Sequence, residues 1–470
     1  MCANVLLMQP PYLTHVISPP IGLGYLASYL MQDGHQVELI DLNLVRHRKE
    51  EIIKAVGESQ PDLVGISAMC TSIDTVRRIT EIVKTTTSRP VVIGGAHASS
   101  LPEHTVRFSG ADFVVVGEGE LTIKELVNTL AAGGRYRDIQ GLGYLDEGDF
   151  RLNARRPLIE DLDSIPFPAW ELIPPRAYKI APILSSAKAS PIAPILTSRG
   201  CPYACTFCAA QTIWGKGFRY RSAGSVLDEI EMLMRDFGVR EIFISDDNFN
   251  MKASHAFEFC EEVFRRRLEF PWACPNGLRV DSITPELLEI MKKAGCHLIG
   301  LGIESGNQEI LDRAKKKLDL SIVPRVCEDI DRAGIMAVGF FILGLPGETK
   351  ETAEQTIAFA KSLKLRRAQF TILAPYPGCE LFEEFISDKN IEDVDWELLD
   401  AFGRHVVQMA SLTPEDLSHY QKKAAREFYS RPRILINTLT SQSLSTVAAF
   451  TQTKFIRSMT GRWKEEDLLR

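Results

Sequence analysis

Twice along its length this chain alternates short apolar runs with amphipathic stretches of helix length, and few folds accommodate that pattern. Over residues 1–133 the strand-length runs fall at 5–8, 37–40, 63–67, 91–93 and 113–116, with helical patterns between them at 23–31, 51–56, 74–84 and 121–130. Val- and Ile-rich strands that alternate with helices pair through crossovers into a parallel sheet covered on both faces. The expected fold of 1–133 is an α/β doubly wound parallel sheet. Gly-rich turns follow its strand ends at Gly94-Gly95 and Gly117-Glu118-Gly119, where such sheets bind ligands.

The alternation stops at residues 134–190. Pro166, Pro168 and the Pro174-Pro175 pair break any helix there, so this stretch reads as a linker packed across two domains. It resumes over 191–375, with strands expected at 192–198, 241–245, 272–277, 298–302, 337–343 and 369–373. Six βα units predict a partial (β/α)6 barrel whose working face is the carboxyl end of the strands. Residues 376–470 read as a mostly helical C-terminal region.

A length of 470 residues predicts two or three domains. Hydrophobic residues at 45% and charged residues at 24% exclude a disordered or fibrous chain. The net charge of -7 lacks the basic footprint of a nucleic-acid binder. The apolar stretch 337–345 is strand-sized, so no membrane span is expected, and 5–8 reads as a first strand rather than a signal peptide. A cytoplasmic location is therefore expected. Gly22-Leu23-Gly24-Tyr25-Leu26-Ala27 matches a dinucleotide fingerprint, with Asp41 downstream. That fingerprint needs its glycines directly after the first strand. Here a long loop with Pro10, Pro11, Pro19 and Pro20 intervenes, so these glycines are read as helix packing.

Three of the ten cysteines lie together, in Ser198-Arg-Gly-Cys201-Pro-Tyr-Ala-Cys205-Thr-Phe-Cys208. Three thiolates on one short loop suit three irons of a [4Fe–4S] cube and leave the fourth iron open. Zinc more often takes a close pair and a second pair far away. Phe207, between two of these cysteines, would shield a cluster from water.

A C-x3-C-x-Φ-C loop after the first strand of a six-unit barrel resembles the radical S-adenosylmethionine (SAM) enzymes. The doubly wound domain ahead of it resembles the cobalamin-binding domain of their B12-dependent, class B methylase-like members. The resemblance implies a [4Fe–4S] cluster on Cys201, Cys205 and Cys208, with SAM on the open iron, cleaved by one electron to a 5′-deoxyadenosyl radical. It implies SAM contacts at Asp246 and Asp247 after strand two, Glu304 and Ser305 after strand four, and Gly344 and Pro346 after strand five. Arg279, after strand three, would neutralise a SAM carboxylate, bind an anionic substrate, or form an ordinary salt bridge to Asp281 or Glu304. Cys379 stands where the family often has Thr.

For cobalamin, the resemblance implies Ser67, Gly94, Gly95, His97, Gly117, Glu118 and Gly119; His97 reads equally as a structural hydrogen-bonder. The D-x-H-x-x-G motif that supplies a lower cobalt ligand is absent, and His15 lacks its flanking Asp and Gly. The cobalt is therefore expected without a His ligand. The expected activity is methylation of an unactivated carbon or phosphorus centre of a lipid, tetrapyrrole or natural-product intermediate. The alternatives are ring closure or rearrangement with the same cofactors, and a non-catalytic sensor. Expected partners are a small-molecule substrate and an external one-electron reductant of flavodoxin or ferredoxin type, with no nucleic acid. Residues 431–470 hold seven Lys/Arg against three Asp/Glu. They read as a helix on the barrel or as a peripheral contact with an anionic membrane.

Overall fold

The computed structural model describes residues 2–11, 17–45, 48–178, 187–396, 399, 409–432 and 434. Five parallel strands, β1 (Asn4–Gln9), β2 (Gln36–Asp41), β3 (Leu63–Ser67), β4 (Val91–Gly94) and β5 (Phe113–Val115), stand in the order β2-β1-β3-β4-β5. β4 and β5 lie between helices on both faces, and Val64, Val91, Ile93 and Val114 are fully buried. The sheet's switch point falls between β1 and β3.

The segment 134–190 differs from a plain linker. It opens with a hairpin, β6 (Leu142–Asp146) and β7 (Asp149–Leu152), which adds two antiparallel strands beyond β5. Glu147 and Gly148, at φ 53 and 93, form its two-residue turn. β7 is an edge strand with exposed residues, so it carries no apolar run to announce it. The rest straps the two domains together. Leu162 and Ile165 pack on Tyr25, while Trp170 and Ile173 enter the barrel core. The Trp170 indole donates to Glu229 at 3.0 Å. Gly24 lets the helix Ile21–Gln32 approach this strap: a Cβ there would lie 2.7 Å from Ile173.

The second domain contains β8 (Ile192–Ile195), a short antiparallel pair β9 (Ser198–Arg199) and β10 (Arg219–Tyr220), then β11 (Glu241–Ile244), β12 (Trp272–Leu278), β13 (Cys296–Glu304), β14 (Met336–Leu343) and β15 (Arg367–Ile372). Six of these form an all-parallel sheet in the order β8-β11-β12-β13-β14-β15. Ile192, Phe243, Ala273 and Leu298 cluster together, with Met336 and Val338 packed on them, as an inward layer near the strand starts. The strand expected at 192–198 stops at Ile195. Thr197 and Ser198 instead donate to Asp246 at 2.7, 2.5 and 2.6 Å, which bends the chain into β9.

Beyond the barrel, the helix Glu380–Ile386 and Trp396 join a core that includes Cys70 and Ala98 of the first domain. The helix Pro414–Tyr429 packs on β15. Among the described residues no helix is long and apolar enough to cross a membrane. His15 and nearly all of the basic stretch 431–470 lie outside the described residues.

Candidate active site

The cysteine loop leaves the barrel through a lasso. β9 and β10 pair antiparallel with Arg199 opposite Arg219. Like charges directly across a ladder repel. The first domain resolves this: Glu118 accepts from Arg199 at 2.8 Å and from Arg219 at 3.0 Å, and Glu120 accepts from Arg199 at 2.6 Å. These side chains are 4–6% exposed. Tyr25 and Trp214 cover the Arg199 guanidinium. Gly200, at φ 92, then turns the chain into the loop; a Cβ there would lie 2.1 Å from the Gly217 carbonyl oxygen.

Cys201 and Cys205 are half-buried and Cys208 is exposed. Burial nevertheless raises all three thiols, that of Cys208 to about 11. Protein packed around a thiol disfavours its charged form even where water reaches the sulfur. Asp247 has the same character, with a carboxyl raised by burial while the residue is exposed. Among the described residues no three His, Cys, Asp or Glu side chains converge on one metal ion. Three thiols spaced along a loop form instead the donor set of a polynuclear cluster, in which each binds its own iron. Phe207 is half-buried against the core shared by the two domains.

The barrel mouth adds two cations. Arg279 holds Asp281 bidentately at 2.9 and 2.6 Å and stacks on Tyr203 at 3.7 Å. Of its expected roles, the salt bridge to Asp281 is the one seen. Glu304 is ion-paired to Lys316 at 2.7 Å, close to the cysteine loop. Sequence reasoning missed Lys316, because the run Lys315-Lys316-Lys317 reads as a solvated face.

The carboxyl edge of the first sheet faces this mouth. Ser100 donates to the Pro377 carbonyl at 2.8 Å, Arg155 donates to the Thr212 carbonyl at 3.0 Å, and the Gly117 Cα hydrogen side lies near the Ile213 carbonyl. Leu44 after β2 and Met69 after β3 are 43% and 52% exposed, so apolar side chains stand open along that edge. Ser67, paired with Gly94 in the ladder, is half-buried there. A Cβ on Gly94 would meet nothing nearer than Val115 at 4.0 Å.

Other expected ligand residues are engaged elsewhere. Asp246 is buried with both oxygens taken by Thr197 and Ser198, and burial raises its carboxyl to about 6. It is a strut for the strand end. Glu118 is spent on the two arginines and the Ile159 amide. His97 is fully buried, bonded to His104 at 3.1 Å and packed on Trp396; the structural reading of this residue is the one the contacts support. Ser305 is buried against Thr356. A Cβ on Gly95 would fall 2.8 Å from the Ala68 carbonyl oxygen, and one on Gly119 would press on Leu26 at 3.2 Å. The Gly344 amide donates to Glu348, Pro346 is half-buried, and Cys379 is buried at the start of the helix Glu380–Ile386.

The B12 binding domain model matches residues 14–127, and the Radical SAM superfamily model matches residues 195–360. An uncharacterized methyltransferase of Pyrococcus horikoshii is 34% identical over 444 residues, covering 93% of this chain and 94% of that protein. The chain belongs to the cobalamin-binding radical SAM enzymes. Within this family it also resembles the cytidylyl-2-hydroxyethylphosphonate methyltransferase of Streptomyces wedmorensis, 28% identical over 464 residues, 88% of this chain and 86% of that one. The anaerobic magnesium-protoporphyrin IX monomethyl ester cyclase of Rubrivivax gelatinosus is 30% identical over 387 residues, 81% of this chain and 68% of that one. The radical SAM methyltransferase TsrM of Kitasatospora setae shares the fold, with a TM-score of 0.69 over 82% of this chain and 76% of that one at 22% identity.

The residues present fit the family's groups. The mouth offers three thiols, and of the other cysteines all but Cys2 are buried. The sheet edge leaves the apolar side chains of Leu44 and Met69 exposed and lets a ligand approach the backbone at Gly94, as a flat macrocycle requires.

Proposed function

We propose that the chain transfers a methyl group to an unactivated carbon or phosphorus centre of a small molecule. The observation that carries this reading is the facing of two open edges. The thiol loop at the barrel mouth and the carboxyl edge of the first sheet are held against each other by contacts such as Ser100 to Pro377. When bound, the cluster supplies the electron that splits SAM, and the corrinoid carries the methyl group.

In this reading Cys201, Cys205 and Cys208 hold the cluster. Asp247, exposed beside the cysteine loop, orients SAM there. Pro346 lays backbone beside it. Ser67, Gly94 and Gly117 line the corrinoid edge, and Phe207 keeps water from the cluster. An external flavodoxin or ferredoxin type protein delivers the electron.

The test is anaerobic incubation of the reconstituted chain with SAM carrying a deuterated methyl group, using the metabolite that accumulates in a deletion strain as substrate. A product with the label supports methylation. A product changed without the label supports ring closure or rearrangement and sinks the proposal. Cys201→Ala, Cys205→Ala and Cys208→Ala should each abolish SAM cleavage while the protein stays soluble.

A further inference from the structure

The helix Gln308–Arg313 ends in a turn of unusual geometry. Lys315 and Lys317 both occupy the left-handed region, at φ 53 and 52, which residues with a Cβ rarely adopt. The turn is tied to the cysteine loop at several points. The Thr206 amide, between Cys205 and Cys208, donates to the Ala314 carbonyl at 3.0 Å. Arg279, stacked on Tyr203, donates to the carbonyls of Lys316 and Lys317 at 3.1 and 2.8 Å. Lys315 points outward to Glu380 and is 51% exposed, whereas the Lys316 side chain is 13% exposed. The Lys316–Glu304 pair sits over Gly302, where a Cβ would lie 2.8 Å from the Lys316 nitrogen and 2.7 Å from a Glu304 oxygen. Glu304 is itself left-handed, at φ 69. Three strained residues thus converge on one ion pair, and such strain persists only where surrounding structure enforces it.

We infer that Lys316 is a positioning residue that sets the reduction potential of the cluster, by holding a positive charge against the cysteine loop. The inference rests on the assignment of the three cysteines to that cluster. Reduction adds one electron from the external reductant, with no bond made or broken, so the cluster gains one negative charge. A cation fixed in a region of low dielectric favours the reduced form. The lysine side of the pair is the one tied to that loop: its turn takes the Thr206 amide at Ala314 and the Arg279 guanidinium at the Lys316 carbonyl, whereas Glu304 is the last residue of β13.

The experiment is an anaerobic, EPR-monitored redox titration of the full reconstituted chain without SAM, with iron content measured in parallel. Lys316→Met should shift the midpoint to more negative potential. At the wild-type midpoint the ratio of reduced to oxidised cluster should fall about tenfold, which is about 59 mV for one electron. Lys316→Arg should titrate like wild type, and Glu304→Gln should shift the opposite way. A merely structural lysine would move none of these potentials. A Lys316→Met chain with full iron and the wild-type midpoint overturns the inference. If that variant retains no cluster, the double variant Lys316→Met/Glu304→Gln leaves no unpaired charge; it should still titrate below wild type, and a wild-type midpoint there overturns the inference equally. A wild-type chain that takes up no iron overturns the cysteine assignment, and this inference with it; iron content separates that outcome from the others.

Discussion

Glu118→Gln should destabilise the chain and loosen its cysteine loop together. The carboxylate neutralises two arginines that face each other across the β9–β10 ladder, with bonds of 2.8 and 3.0 Å and side chains 4–6% exposed. Removing one partner of a buried pair costs about 3–5 kcal/mol, because the remaining charge stays desolvated. Arg199 keeps Glu120 at 2.6 Å, and Arg219 keeps the Ile159 carbonyl at 2.6 Å, which favours the lower end. A loss of about 3 kcal/mol lowers the melting point of a domain this size by about 6–12 °C. The assay is thermal unfolding followed by circular dichroism, with iron content measured after anaerobic reconstitution. Glu103→Gln serves as the control, since its pair with Arg107 is 55% and 43% exposed and should be worth well under 1 kcal/mol. Because the Glu118 site is desolvated, added salt should not reproduce the loss in wild type. A Glu118→Gln chain that melts within about 2 °C of wild type, with unchanged iron, would refute the reasoning.

Gly200→Ala should prevent the cysteine loop from closing, since its Cβ would fall 2.1 Å from the Gly217 carbonyl oxygen at φ 92; a reconstituted variant with full iron would contradict this. Burial raises the Glu348 carboxyl from 4.5 to about 7, and one of its oxygens has no partner. A carboxyl raised in the folded state stabilises below its unfolded pKa, and that contribution is lost as pH rises through the folded value. The unfolding free energy of wild type, from denaturant titrations, should therefore fall by about 3 kcal/mol between pH 4.5 and 7 relative to Glu348→Gln, and parallel pH profiles would exclude it. Cob(II)alamin bound to the chain should give an EPR spectrum without nitrogen splitting, because the D-x-H-x-x-G motif is missing; a three-line pattern lost in His15→Ala would overturn that.

The strands were legible where both faces are covered. Leu63, Val64 and Ile66 of β3 and all of Val91–Ile93 are buried, so their sequences are uninterrupted and apolar. The hairpin β6–β7 was not, because an edge strand with an exposed face carries no such run. The early end of β8 was hidden for another reason. Thr197 and Ser198 suit a strand, and the carboxylate that pulls them out of it lies 49 and 48 residues away at Asp246.

The site divides in the same way. Spacing along one loop is a local property, and it marked Cys201, Cys205 and Cys208. The direction in which a side chain leaves a loop is not local, and this is where sequence reasoning about Glu118, Asp246 and His97 met its limit. Glu118 lies in a loop of the expected kind, but Arg199, 81 residues on, and Arg219, 101 residues on, claim its oxygens. Lys316 shows the converse. A run of three lysines reads as a solvated face, and only the two left-handed residues around it send the middle one inward. The groups that hold the cysteine loop therefore come from outside it: Glu118 and Glu120 from the first domain, Asp246 after β11, Arg279 after β12 and Ala314 after β13. The barrel alone would carry the thiols but leave Arg199 and Arg219 facing each other without Glu118 and Glu120. The geometry of the loop is thus a property of the two domains assembled, which couples the corrinoid-type sheet to the cluster mouth through charge as well as through packing.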